Sequence, residues 1–152
     1  MRIVIQRVKE ASVTVDNKVV SRIQKGLCLL VGIEKGDTQA DAAFLARKTA
    51  ELRIFSDEGG KMNLSIKDMD GEVLAVSQFT LAGSLQKGRR PSFDKAEHPE
   101  KARIIFKQFV EFIRNEGIQV KTGIFAALMD ISLVNDGPVT FILDSRMKKQ
   151  LS

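Results

Sequence analysis

The 152-residue chain has one cysteine, one histidine, three prolines and neither tryptophan nor tyrosine. Each scarcity closes a route. A lone Cys28 cannot form an intramolecular disulfide, and its apolar surroundings, Leu27 to Val31, mark it as a small buried hydrophobe rather than a nucleophile. One histidine and one cysteine cannot build a His/Cys zinc constellation, so no metal and no other cofactor is expected. A Ser-His-Asp triad would have to recruit His98, which sits at the start of a helix whose other signals are structural. No apolar run reaches membrane-spanning length and no signal-peptide pattern opens the chain, so a cytoplasmic protein without a membrane partner is expected.

What is present is an ordinary globular composition at the length of one domain, enough to bury its own core. Lysine and arginine number 24 against 19 aspartates and glutamates, a net charge of +5 that suits a polyanionic partner. The excess is clustered. Lys87, Arg89, Arg90 and Lys95 share one loop with only Asp94 opposing them, which reads either as a solvated loop or as a set of phosphate contacts.

Periodicity predicts one α+β domain, a mostly antiparallel, curled or barrel-like sheet with two helices against it. Residues 2–8 and 11–15 read as two strands, returning through Asp16, Asn17 and Lys18 into Val19 to Ile23. The continuous apolar run from Gly26 to Ile33 predicts a strand buried on both faces. Asp37 or Thr38 caps a helix, with Asp41 completing a capping box, and strand resumes over 52–55. The aperiodic stretch 83–98 is the longest irregular segment. Pro99 opens a second helix with an apolar stripe of Ala102, Ile105, Phe106, Phe109, Phe112 and Ile113, and Gly117 closes it. Strands follow at 119–123 and 128–134, with a last one running to Leu143 and a polar tail, 146–152, expected to fray.

Two stretches stand apart from the scaffold. Asn135 to Thr140 places Asp-Gly-Pro between strand-like flanks, a locally unfavourable pair that reads as a tight hairpin corner or as a rigid corner, cis in some cases, presenting carbonyls to a ligand. Ser77 to Leu81 (SQFTL) follows the hydrophobic strand 73–76. Together these stretches resemble the two motifs of the D-aminoacyl-tRNA deacylases, and the likeness extends through Met1 to Val8, Lys61 to Asn63, Gly88 to Phe93 and Thr122 to Met129 to the final strand.

The resemblance implies a homodimer of single domains, residues 1–152, that hydrolyses the ester of D-aminoacyl-tRNA, and of glycyl-tRNA mischarged on tRNA(Ala), as chiral proofreading. It implies a catalytic pocket at Ser77, Gln78, Phe79 and Thr80, with backbone N–H groups near Phe79 and Thr80 as oxyanion donors. It implies that Gly137 and a cis Pro138, supplied by the other subunit, reject L-amino acids, that Phe125 and Met129 pack on the terminal adenosine, and that Lys87, Arg89 and Arg90 meet tRNA phosphates. Arg7 matches a position near the Gly-Pro corner. Ala126 and Leu128 depart from the glycine and the polar or acidic residue that relatives often carry there.

The chemistry suits this reading. An aminoacyl ester is activated and its ribose carries a neighbouring 2′-hydroxyl, so orientation, oxyanion donors and admitted water suffice without a side-chain base. Three alternatives stay open at this point. Thr80 could act as a nucleophile, the protein could be a non-catalytic nucleic-acid-binding module, or Ser84, in a Ser-x-x-Lys string with Lys87, could serve a small-molecule esterase.

Overall fold

The computed structural model describes the backbone of residues 1–150 and side chains as far as Met147. Strand β1 (Arg2–Val15) is the longest-range organiser. One of its edges pairs antiparallel with β3 (Gly26–Gly32) over Arg2 to Val8 and with β2 (Lys18–Ile23) over Ala11 to Val15, while its other edge pairs antiparallel with β8 (Asp130–Asp144) along nearly its whole length. The sheet continues from β3 to β6 (Glu72–Ser77) and β7 (Gln119–Thr122) by parallel pairing. Parallel neighbours need crossovers, and the chain supplies them with α1 (Gln39–Glu51) and the small hairpin β4 (Phe55–Ser56) and β5 (Met62–Leu64), then with α2 (Pro99–Asn115). The far edge curls back on β2: Ser21 Oγ donates to Thr122 O, Lys121 Nζ to Arg22 O at 2.7 Å, and Gln24 N–H to Glu72 at 2.9 Å.

Side-chain alternation on the central strands explains their unbroken hydrophobicity. Leu27, Leu29 and Val31 of β3, with Val73 and Ala75 of β6, face the helices, where they meet Leu45, Phe106, Phe109 and Ile113. Cys28, Leu74 and Val76 face inward with Val8, Val13 and Ile23. The expectation of a doubly buried strand therefore holds, and so does the aromatic stripe of α2. The capping box of α1 is formed by Thr38 and Asp41. Asp37 instead accepts from Glu34 N–H at 2.7 Å and from the Met1 ammonium.

Four expectations need correction. Residues 2–8 and 11–15 belong to one strand that bends through two register shifts against β8. The corner 135–140 is not a hairpin, because both flanks find the same partner edge: Val8 lies opposite Asn135 and Gln6 opposite Thr140, so the four residues 136–139 bulge out against Arg7 alone. Strand β4 begins only at Phe55. The expected tail 146–152 starts ordered: Arg146 N–H donates to Asp144 Oδ1 at 3.0 Å, just after Ser145 exchanges hydrogen bonds with Met1, and a 3-10 turn runs Ser145–Gln150, while residues 151 and 152 lie outside the described residues. No helix among the described residues is long and apolar enough to cross a membrane.

Asp144 closes this end of the sheet, bound by Arg146 and, at 3.2 Å, by Arg2. Hydrogen bonds from Arg146 hold its carboxyl far below the usual carboxylate range. A depressed folded-state pKa contributes stability that is complete above the unfolded value near 3.8 and is lost as pH falls toward the folded value. Urea titrations at several pH values should show Asp144→Asn lowering stability at pH 6 and losing less than the parent between pH 4 and pH 2; parallel acid limbs would refute this.

Candidate active site

Register delivers the SQFTL stretch. Ser77, last residue of β6, pairs with Val31, and Gln78 N–H donates to Val31 O at 2.8 Å, so the chain leaves the sheet at a defined point. It then tightens into a 3-10 turn, Phe79–Ala82, in which Leu81 N–H donates to Gln78 O at 3.2 Å and Gly83 N–H to Thr80 O at 2.9 Å. The first N–H groups of such a turn have no partner within it. Among the described residues, those of Phe79 and Thr80 make no hydrogen bond. Close approach to β3 requires Gly32, where a Cβ would lie 2.7 Å from the Leu81 Cβ.

Beside this turn opens a cleft of about 670 Å³, walled by Ser77, Gln78 and Phe79, by Phe93 to His98 without Lys95, and by the segment Phe125 to Met129. The lining is dominated by apolar side chains with few polar groups, the usual character of a small-molecule site. The Phe79 and Phe93 rings meet edge to face at 5.1 Å, tying the turn to the exit of the basic loop. Phe125 is half-buried against Phe106, ring centroids 6.2 Å apart. Met129 is seated because residue 123 is glycine; a Cβ there would fall 2.6 Å from its sulfur. Ala126 takes a positive φ of 63° in the turn between them, and Leu128 is 95 % exposed at the rim.

Of the residues expected at a site, Ser77, Gln78, Phe79, Phe125 and Met129 therefore converge on one cleft. Thr80 lies on the adjoining turn but outside the lining, exposed, its hydroxyl accepting from Gln78 Nε2. Lys87, Arg89 and Arg90 are exposed on a loop pinched at its base by the reciprocal Ser84 and Ser92 backbone bonds of 2.7 and 2.9 Å. Gly137 and Pro138 are joined by a cis peptide bond, are exposed, and do not line this cleft. Their corner is braced from within: Asn135 Oδ1 accepts from Val139 N–H at 2.8 Å, and buried Arg7 donates to Asp136 O at 3.0 Å and to Ile54 O at 2.8 Å.

The sequence reading missed Phe93, Glu97 and Lys35 as lining residues. The pairing of Glu34 with Ala96 and the bonds beside it, Lys35 N–H to Lys95 O and Glu97 N–H to Ile33 O, bring these distant segments together. The Glu97 side chain is 5 % exposed, bound by His98 N–H at 2.9 Å and Lys101 Nζ at 3.0 Å, and these bonds hold its carboxyl below the ordinary range. His98 does line the cleft, yet among the described residues its ring makes no hydrogen bond to a serine, threonine or carboxylate, and none joins Ser84 to Lys87. The arrangement offers oriented backbone donors and an aromatic platform rather than an activated nucleophile.

The chain is similar to known proteins. The family model for D-Tyr-tRNA(Tyr) deacylase matches residues 4–144. A D-aminoacyl-tRNA deacylase of Geobacter metallireducens is 59% identical over 145 residues, 95% of this chain and 96% of that protein. One of Bacillus cytotoxicus is 58% identical over 146 residues, 96% of this chain and 100% of that protein. The solved structure of a c-Myc DNA Unwinding Element Binding Protein superposes with a TM-score of 0.89 at 41% identity, covering 95% of this chain and 98% of that one. That of a probable eukaryotic D-amino acid tRNA deacylase shares the fold with a TM-score of 0.80 at 17% identity over 93% of this chain and 97% of that one.

Cys28 is buried on the inner face of β3, and burial pushes its thiol up to about 11. About a hundredfold less thiolate than at an ordinary thiol follows. A disulfide reagent should therefore modify the native protein only at the rate of unfolding and label one thiol fully in denaturant; rapid labelling of the native state would show the inner face to be open.

Proposed function

This chain belongs to the D-aminoacyl-tRNA deacylase family and is a hydrolase, and from that membership we propose that its cleft binds the aminoacylated 3′ end of tRNA, with the ester at the Ser77 to Thr80 turn. The observation that carries the reading is the pair of unengaged N–H groups at Phe79 and Thr80 beside an apolar cleft that also contains Phe125 and Met129. Water adds to the ester carbonyl, and the carbonyl oxygen, now negatively charged, accepts from these two donors. The acyl–O3′ bond then breaks, the departing ribose oxygen takes a proton relayed from the attacking water with the neighbouring 2′-hydroxyl as hydrogen-bond partner, and free D-amino acid and tRNA leave. Oriented donors of this kind are worth about 2.7 to 4 kcal/mol each in other acyl-transfer sites. The terminal adenosine packs on Phe125 and Met129, and Lys87, Arg89 and Arg90 meet phosphates farther along the RNA.

Selection of handedness belongs to Gly137 and Pro138 in this reading, and the corner acts from a partner subunit. Both residues are exposed and outside the cleft of their own chain, which supports a contribution in trans. Among the described residues the β8 strand that carries them pairs with β1 alone, and Val134, Phe141 and Ile142 on it are exposed, as a homodimer contact would use. A backbone wall leaves no room for an L side chain, while glycine, with none, passes. Such proofreading would operate where tRNA is charged, in the cytoplasm.

A second reading, a non-catalytic nucleic-acid-binding module, is favoured by the basic loop and by the DNA-binding name of the 41% identical neighbour. Offering D- and L-aminoacyl-tRNA, glycyl-tRNA(Ala) and an RNA-free D-amino acid ester separates the readings. Release from the D-charged and glycyl tRNA alone supports proofreading, binding without release supports the module, and cleavage of the free ester supports a general esterase.

Two substitutions sharpen the test. Because the Thr80 hydroxyl is exposed and without a base, Thr80→Ala should cost no more than about tenfold in kcat, with no acyl-protein detected by mass spectrometry of the quenched parent reaction. Complete loss together with a trapped ester would make Thr80 the nucleophile. At Gly137, with φ of +135°, an added Cβ would meet Val139 Cγ2 at 2.7 Å and an Arg7 nitrogen at 3.1 Å, so Gly137→Ala displaces the corner. In protein that circular dichroism shows to be folded, the D-over-L ratio of kcat/KM should drop at least about tenfold; an unchanged ratio would remove the corner from chiral selection.

A further inference from the structure

The Arg103 guanidinium, on α2, lies 4.8 Å from the centroid of the Phe125 ring. Its setting differs from that of the arginines held in ion pairs. Arg2, Arg7, Arg114 and Arg146 each have a carboxylate partner, and Lys101, two residues earlier, is tied to Glu97 at 3.0 Å. Arg103 is exposed, and among the described residues no carboxylate pairs with it and none of its N–H groups donates a hydrogen bond. A guanidinium stacked on a ring uses its face and leaves its in-plane donors free, in a fork matched to two oxygens of a phosphate. Stacking also reduces the rotamer freedom that an exposed arginine would lose on binding.

Resting on the proposal that the terminal adenosine packs against Phe125, we propose that Arg103 binds the phosphate on the 5′ side of that nucleotide, with Phe125 as the support that aims it. Phe125 lines the cleft and Arg103 does not, so the ring separates the nucleoside inside from the cation outside. The phosphate is the part of the terminal nucleotide that must leave the cleft to join the rest of the RNA. Arg103 is thereby a substrate contact of α2, separate from the basic loop of Lys87, Arg89 and Arg90.

The test compares the parent with Arg103→Gln and Arg103→Lys in two measurements: binding of uncharged tRNA ending in CCA over a salt series, and hydrolysis of D-aminoacyl-tRNA against 3′-D-aminoacyl-adenosine, a nucleoside without phosphate. Arg103→Gln should weaken tRNA binding about five- to tenfold and reduce the slope of log affinity against log salt by about one. It should raise KM for the charged tRNA similarly while leaving kcat, and all constants for the nucleoside, unchanged; Arg103→Lys should keep the slope. An unaltered salt slope overturns the proposal, as does an equal loss on both substrates, which would mean that Arg103 merely holds Phe125. If the parent hydrolyses neither substrate but the slope still falls by one, the phosphate contact stands and the deacylase reading fails.

Discussion

The parallel pairing of β3 with β6 is the constraint on which the site depends. Both strands are covered on both faces, so their peptide groups have no water to turn to and must bond each other. Register follows from that necessity, since a slip by one residue would exchange the helix-facing and inward-facing side chains of β6. With register set, Ser77 stands opposite Val31, Gln78 N–H finds Val31 O, and the next two N–H groups make no hydrogen bond among the described residues. The proposed oxyanion donors are thus by-products of where a buried ladder stops.

The second consequence of the architecture is the separation of the cleft from the Gly-Pro corner. The cleft draws on β6, on the loop before α2 and on the turn before β8, whereas the Gly-Pro corner bulges from the middle of β8 on the far edge of β1. Arg7, placed on β1, is the only residue opposite that bulge, and its guanidinium binds Asp136 O from beneath. A rigid corner held out to solvent is poorly explained by the stability of its own chain. The proposal that it serves a partner subunit's pocket would account for it.

Much of this was legible beforehand. The apolar run of β3, the capping box at Thr38 and Asp41, and the aromatic stripe of α2 rest on interactions within a few residues, and each was found where periodicity placed it. The Asn-Asp-Gly-Pro stretch stood out because its residue types fit poorly with the strands around it, and the SQFTL stretch because the two together resemble a family's motifs. Phe125 and Met129 were named, but their company was not: Phe93, Glu97 and Lys35 reach the cleft through the bridge between Glu34 and Ala96, some sixty residues apart in sequence.

What the sequence carried alone was the resemblance to a family of ester hydrolases, together with the exclusion of a His/Cys zinc site, because one histidine and one cysteine cannot build one. It also determined the elements whose hydrophobic period closes over a single helix or strand. Tertiary structure decided whether Asn135 to Thr140 turned the chain back or bulged within a strand, since both outcomes satisfy the same local preferences. Only the continuous edge of β1, offering bonds to the residues on either side, made the bulge the lower-energy course.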